Sequence, residues 1–262
     1  MSEFTEENGW MPGCEYVPVE GRFATERGQM YPQALVFHVM VGYMGYARTM
    51  MEDRIVGDDA DDYASWHFSV GRDGHKMQHA SIWDGLWHAG LGSLDPDAGE
   101  PVSTLRARFG RNPNLWIVGI ENEGFSVPTF AQNGKRIDDY PYSAARPWPE
   151  PMIASNIEIA RWVIKRCGWL QQLPRGDWAN PDTFESRFIG HNQIDPRNRK
   201  DDPGDLWQHT VWHRIVNGAW APAPPPRELE GPIVVPPAAK SAKLTALETL
   251  DAARKLIEVG WP

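Results

Sequence analysis

The pattern of apolar and polar positions along the chain predicts buried strands that alternate with helices. Residues 34–40 and 115–121 are almost continuous apolar runs, which are typical of strands covered on both faces. His38 interrupts the first run, and Glu121 ends the second. Because an unpaired polar group is costly to bury, a histidine in such a strand needs partners for its ring nitrogens.

A second pattern, with period two, predicts a β-hairpin. Residues 64–70 alternate in polarity and place Trp66, Phe68 and Val70 on one face of a strand. A turn with two glycines follows, and residues 75–79 are then the return strand.

Helical spacing of apolar residues appears in residues 152–167. Ser155 and Glu158 are spaced as a capping box for this helix, unless the helix starts a turn earlier, at the Pro151 boundary. Residues 43–63 are predicted to be helical in part.

The order of these elements predicts an α/β fold, a mixed central β-sheet flanked by helices, over residues 20–220. Residues 221–239 are rich in proline and are typical of an extended linker. In the tail, residues 240–262, a strongly helix-forming segment follows. Because a lone helix of this length is marginal in water, we expect it to dock on the main domain or on another chain, including a second copy.

Composition narrows the possible partners. The net charge of −9 argues against a dedicated nucleic-acid binder. No apolar run reaches the roughly 18 residues of a membrane-spanning helix, and the acidic N-terminus lacks the features of a signal peptide, so we expect cytoplasmic synthesis. Cys14 and Cys167 are too few for a disulfide framework, although they leave one optional bridge.

Three side chains are candidate metal ligands: His38, His191 and Asp202. The last two lie in a segment whose prolines and glycine forbid a continuous helix, and we interpret that segment as a loop of fixed shape. A catalytic zinc needs three protein ligands of these types and one open position. We therefore expect one Zn²⁺ per chain.

Proton transfer at such a site needs a base, and either Glu121 or Glu123 fits, because both would point to the same side of one strand. Lys200, two residues before Asp202, is a candidate for stabilising an oxyanion.

The chain resembles the zinc-dependent N-acetylmuramoyl-L-alanine amidases, whose fold is shared by phage endolysins, muropeptide amidases and peptidoglycan-recognition proteins. Five motifs carry the resemblance, and they occur in the family's order over about residues 30–210. They are Val36-Phe37-His38; Ser65-Trp66-His67-Phe68 with Arg72-Asp73-Gly74; Trp87-His88-Ala89-Gly90; Val118 to Gly124; and Gly190-His191 with Lys200-Asp201-Asp202-Pro203-Gly204.

The resemblance implies a role for each candidate residue. The metal ligands would be His38, His191 and Asp202; the catalytic residues Glu121, rather than Glu123, and Lys200; and the substrate-binding residues Trp87, His88 and Trp66. Trp66 takes the position at which some phage members carry a tyrosine that assists catalysis, and an indole cannot replace that hydroxyl.

The implied reaction is hydrolysis of the amide between N-acetylmuramic acid and L-alanine in bacterial peptidoglycan. The linker and tail favour a phage endolysin that is made in the host cytoplasm and reaches the wall through a holin. Two alternatives stay open: a cytoplasmic amidase that recycles soluble muropeptides, and a module that binds peptidoglycan without cleaving it.

Overall fold

The computed structural model describes residues 4–19, 24–27, 31–40, 42–52, 64–89, 112–124, 148–169, 187–195, 199, 202–203 and 211–221. The Pro-rich linker beyond Ala221, the C-terminal helix and Lys200 lie outside them and stay predictions.

The core of the fold is a mixed sheet of six strands in the order β1-β5-β4-β7-β3-β8, and a separate antiparallel pair joins β2 to β6. The strands are β1 (Glu15–Tyr16), β2 (Ala24–Glu26), β3 (Ala34–Val39), β4 (Phe68–Val70), β5 (Lys76–Gln78), β6 (Asp84–Leu86), β7 (Ile117–Asn122) and β8 (Phe188–Gly190). In the large sheet only the predicted hairpin, β4 with β5, is antiparallel. The α/β class and the mixed sheet are as predicted.

The described residues form four α-helices, α1 (Met44–Glu52), α2 (Glu150–Arg166), α3 (His191–Ile194) and α4 (Trp212–Trp220), and a short 3-10 helix at Pro113–Leu115. Helix α2 begins after Pro149, so the predicted capping box is wrong and the earlier start is right. The Ser155 hydroxyl donates instead to the carbonyl of Gly74, at 2.6 Å, and Glu158 pairs with Lys76. None of the described helices is long and apolar enough to cross a membrane.

Strand β3 is buried along its whole length because both faces of the sheet are covered. Leu35 and Phe37 belong to the main apolar cluster, which includes residues of α2 and α4. Ala34 and Val36, on the other face, pack in a second cluster with residues near β8. The apolar run in the sequence thus reflects an interior parallel strand.

The predicted face shared by Trp66, Phe68 and Val70 is wrong. Phe68 and Val70 lie in the main cluster, but Trp66 precedes the strand and packs against α1 in a third cluster. The Trp66 indole N–H donates to the Ser69 hydroxyl at 2.7 Å. Residues 65–70 are all buried because clusters of side chains cover both faces of the sheet here, so alternating polarity does not mark a solvent face.

Residues 4–19, which precede the predicted domain boundary, pack as part of the same fold. Strand β1 adds to the sheet edge beside β5. Trp10 is buried in an aromatic cluster with Phe4 and Tyr16, at ring separations of 4.6 and 5.4 Å. The domain therefore starts earlier than residue 20. Cys14 and Cys167 are both free thiols, so the optional bridge is absent.

Candidate metal centre

The three predicted metal ligands come together at one edge of the sheet. His38 lies near the C-terminal end of β3, and His191 directly follows the parallel neighbour β8. Because parallel strands end at the same edge, this order of elements brings both imidazoles to one place. Asp202 joins them, so that one ligand atom of each residue lies within 4.8 Å of the others. His191 starts a single helical turn, α3, where the sequence predicted a loop.

The distances between the ligand atoms fit a metal ion. His38 Nδ1 and His191 Nδ1 are 3.0 Å apart, and His191 Nδ1 is 3.0 Å from Asp202 Oδ2. His38 Nδ1 is 3.5 Å from the same oxygen. Tetrahedral zinc with bonds of about 2.0–2.1 Å separates its ligand atoms by about 3.3–3.4 Å. Two imidazole nitrogens and one carboxylate oxygen are also a donor set that zinc accepts, so these residues fit it in both size and chemistry.

Backbone groups hold Asp202 in the orientation that such a site needs. The N–H of Val39 donates to Asp202 Oδ1 at 2.8 Å, which leaves Oδ2 facing the two imidazoles. The Asp202 carbonyl accepts from the N–H of Asn192 at 2.8 Å. Burial acts to raise the pKa of Asp202, but hydrogen bonds with His191 and His38 outweigh it and hold that pKa below the usual range. The carboxylate is therefore ionised, as a metal ligand must be.

His38 is held neutral, which is the form that binds a metal. Burial, and then the neighbouring His191, lower the pKa of His38 to about 4. Its backbone is fixed as well, because the buried amide of Asn122 donates to the His38 carbonyl at 3.0 Å. Asn156 on α2 donates in turn to Asn122 Oδ1 at 2.7 Å. These two asparagines were not identified from the sequence. The signals in it were weak: Asn122 follows the apolar run of residues 115–121, and Asn156 lies among the apolar residues of a predicted helix.

Glu121 and Glu123, which strand periodicity did not separate, have different surroundings. Glu121 lies beside His38 in the register of β7 and β3, and its Oε1 is 3.9 Å from His38 Nδ1. Glu123 lies beyond the end of β7, and its carboxylate accepts from the N–H groups of Met44 and Arg72, at 3.3 and 2.9 Å. Glu121 therefore faces the predicted ligand His38, whereas Glu123 joins the start of α1 to the turn after β4.

The Glu121 carboxyl is placed to hold a proton. Burial, and then the charge of Asp202, raise the pKa of Glu121 well above its ordinary value. Its Oε2 is buried and has no hydrogen-bond partner among the described residues. A carboxyl group with these properties beside a metal site is suited to general acid–base chemistry.

The three predicted substrate-binding residues have different environments. Trp87 follows β6 and has 40% of its surface exposed. His88 is buried, and its Nδ1 lies 3.0 Å from His38 Nε2. Trp66 is 5% exposed, within the cluster beside α1. Of the three, Trp87 presents an aromatic surface, His88 contacts the predicted ligand His38, and Trp66 packs in the core.

The sequence of residues 28–205 matches the family model of N-acetylmuramoyl-L-alanine amidase. The chain therefore belongs to the type 2 N-acetylmuramoyl-L-alanine amidase family, and this membership supports a peptidoglycan amidase activity. No curated protein matches the chain.

Solved structures match the chain at low sequence identity. A selenomethionine derivative of AmpD is 18% identical, with a TM-score of 0.51 over 80% of this chain and 97% of that chain. The amidase LysC from Clostridium intestinale URNW is 13% identical, with a TM-score of 0.44 over 78% of this chain and 95% of that one. AmpD of Citrobacter freundii is 18% identical, with a TM-score of 0.42 over 79% and 92%. The first likeness supports the mixed sheet with flanking helices as the fold of this family.

Proposed function

We propose that this chain is a zinc-dependent hydrolase of the amide that joins N-acetylmuramic acid to L-alanine in peptidoglycan. The observation that carries the proposal is the convergence of His38, His191 and Asp202 beside the buried carboxyl of Glu121. Family membership supplies the substrate class. When bound, zinc supplies Lewis acidity that polarises a carbonyl group and acidifies water.

Six residues of the chain have distinct proposed roles in the reaction. His38, His191 and Asp202 would hold the metal through two imidazole nitrogens and one carboxylate oxygen. Glu121 takes the proton of the attacking water and passes it to the amine of L-alanine as the amide bond breaks. Lys200 is proposed to stabilise the negative charge that develops on the carbonyl oxygen. Trp87, exposed beside the site, is proposed to contact the glycan or peptide of the substrate.

The test is to incubate the purified chain with sacculi and to identify the bond that is cut. Amide hydrolysis frees the amino group of L-alanine and creates no new reducing sugar ends. We expect this product from the wild-type chain, its loss when a chelator removes the metal, and its return when zinc is added.

The matched pair of variants is Glu121→Gln and Glu123→Gln, because the two carboxylates lie two residues apart and only the first faces the ligands. We expect Glu121→Gln to bind zinc and lose at least about 100-fold in rate, in line with general acid–base catalysis. Glu123→Gln keeps the activity. Full activity of Glu121→Gln would show that Glu121 is not the acid–base group. Binding of the wild-type chain to sacculi without cleavage would indicate a recognition module.

We further propose that the biological role is that of a phage endolysin, released to the wall through a holin. The support is the predicted linker 221–239 and tail 240–262, since an enzyme acting on soluble muropeptides has little use for a tethered appendage. A chain that ends at Trp220 should lose activity on whole cells more than on purified sacculi. Equal activity of both chains on both substrates, with faster turnover of soluble muropeptides, would favour the recycling role.

A further inference from the structure

His88 is buried against a metal ligand. It follows β6 and is 8% exposed, and its Nδ1 lies 3.0 Å from Nε2 of His38. The opposite nitrogen of the His38 ring, Nδ1, faces His191 and Asp202. We propose that His88 is a positioning residue that orients His38 for metal binding, in place of the substrate contact predicted from sequence. This inference rests on the proposed metal site.

The proton arrangement follows from imidazole chemistry. A neutral imidazole carries one N–H and one lone pair, and His38 must present the lone pair of Nδ1 to the metal. The His38 proton is then on Nε2, and it is donated to His88 Nδ1, which acts as acceptor. In this arrangement the contact with His88 favours the His38 tautomer whose Nδ1 is free for the metal, and it holds the plane of the His38 ring. Partners of this kind on metal-bound histidines tune metal affinity.

A chain of hydrogen bonds holds His88 itself. The backbone N–H groups of His88 and Ala89 both donate to Asn114 Oδ1, at 3.2 and 2.9 Å. The carbonyl of Asn114 accepts from Nη1 of Arg27 at 3.2 Å. Arg27 is 1% exposed and also donates to the carbonyl of Ile117. A buried asparagine and a buried guanidinium thus fix the segment that carries His88. A positioning residue needs such support, because it must itself be held in place.

Gly119 supplies the space in which the His88 ring lies. A Cβ atom at position 119 would be 2.5 Å from His88 Nδ1 and 2.6 Å from its Cγ. Gly119 is inside the buried strand β7, between neighbours on both sides, so its backbone has little freedom to move away. An alanine at position 119 should therefore displace the ring without changing any atom of His88.

The role of His88 is tested by zinc affinity, measured by competition with a chromophoric chelator. An asparagine places its Oδ1 near the position of Nδ1, whereas the polar atoms of a glutamine fall nearer Nε2. We expect His88→Asn to stay within about threefold of the wild-type affinity, and His88→Gln and His88→Leu to lose about 10–100-fold. Gly119→Ala should fall with the second group. His213→Leu, at an exposed histidine on α4, is the matched control and should not change the affinity.

The asparagine and glutamine variants are both polar and close in size, so their comparison keeps the test decisive if the leucine variant fails to fold. Equal zinc affinity of His88→Asn and His88→Gln would overturn the positioning role, as would wild-type affinity in His88→Leu. Failure of the proposed function gives a different result. A wild-type chain that binds zinc tightly but leaves sacculi intact contradicts the reaction alone, and one that binds no zinc contradicts the metal site itself.

Discussion

His79 should make the stability of the fold depend on pH. It is fully buried after β5, where its Nδ1–H donates to the Val17 carbonyl at 2.8 Å and its Nε2 accepts from the Ser69 hydroxyl at 2.8 Å. The same hydroxyl accepts from the indole of Trp66. A second ring proton would turn the Nε2 acceptor into a donor and place a charge in the core. Burial accordingly lowers the pKa of His79 from 6.5 to about 4.

The size of the effect follows from this difference in pKa. Between pH 6.5 and pH 4 the unfolded chain binds a proton at His79 and the folded chain does not. The free energy of unfolding therefore falls as the pH is lowered. The contribution of His79 to the free energy of unfolding is fully present above pH 6.5. Below that pH it falls by about 1.4 kcal/mol per pH unit, so that about 3 kcal/mol is lost at pH 4.

The measurement is the free energy of unfolding in urea between pH 7.5 and pH 4.5, in buffer that contains a chelator, for the wild-type chain and for His79→Asn. The variant keeps an amide donor towards Val17 and has no imidazole, and the other histidines are common to both chains. We expect the wild-type chain to lose about 2–3 kcal/mol more than the variant over this range. The same pH dependence in both chains would refute the assignment of a neutral, buried His79.

Three further substitutions test other parts of the fold. Ser69→Ala leaves the Trp66 indole N–H and the Nε2 atom of His79 without their Ser69 partner, so we expect the free energy of unfolding at pH 7.5 to fall by about 2–4 kcal/mol, and an unchanged midpoint in urea would contradict these bonds. Trp10→Ala should cost about 3–5 kcal/mol in thermal unfolding, whereas a change below 1 kcal/mol would mean that residues 4–19 are not part of the core. Gly218→Ala would place a Cβ atom 2.5 Å from Ile157 Cδ1, between α4 and α2, so the free energy of unfolding should fall by about 1–3 kcal/mol. Adding Ile157→Val should recover part of this loss, whereas additive losses would exclude the clash.

The interior strands could be predicted from sequence because of where they lie in the sheet. β3 and β7 are parallel neighbours covered on both faces, and such strands are continuous apolar runs. The same topology explains why two of the candidate site residues could be identified from the sequence. His38 and Glu121 interrupt or end those runs, and a polar residue in an apolar strand needs a specific partner.

The elements that were missed are short or depend on distant contacts. Strand β8 has three residues and exists because it pairs with β3, so it carries no periodicity of its own. Strand β1 has two residues beside β5. The separation of Glu121 from Glu123 depends on the end of β7 at Asn122, a boundary that hydrophobic pattern does not locate to one residue. The contact of His88 with His38 joins residues 50 positions apart and has no local signal.

X-ray absorption at the zinc edge tests whether His38, His191 and Asp202 bind one zinc ion. For the zinc-loaded wild-type chain we predict a first shell of nitrogen and oxygen atoms only, at about 2.0–2.1 Å, with the outer-shell scattering of two imidazole rings. Asp202→Ala should weaken zinc binding and change this shell. A sulfur atom at about 2.3 Å, a single imidazole, or a spectrum unaffected by Asp202→Ala would contradict this set of ligands.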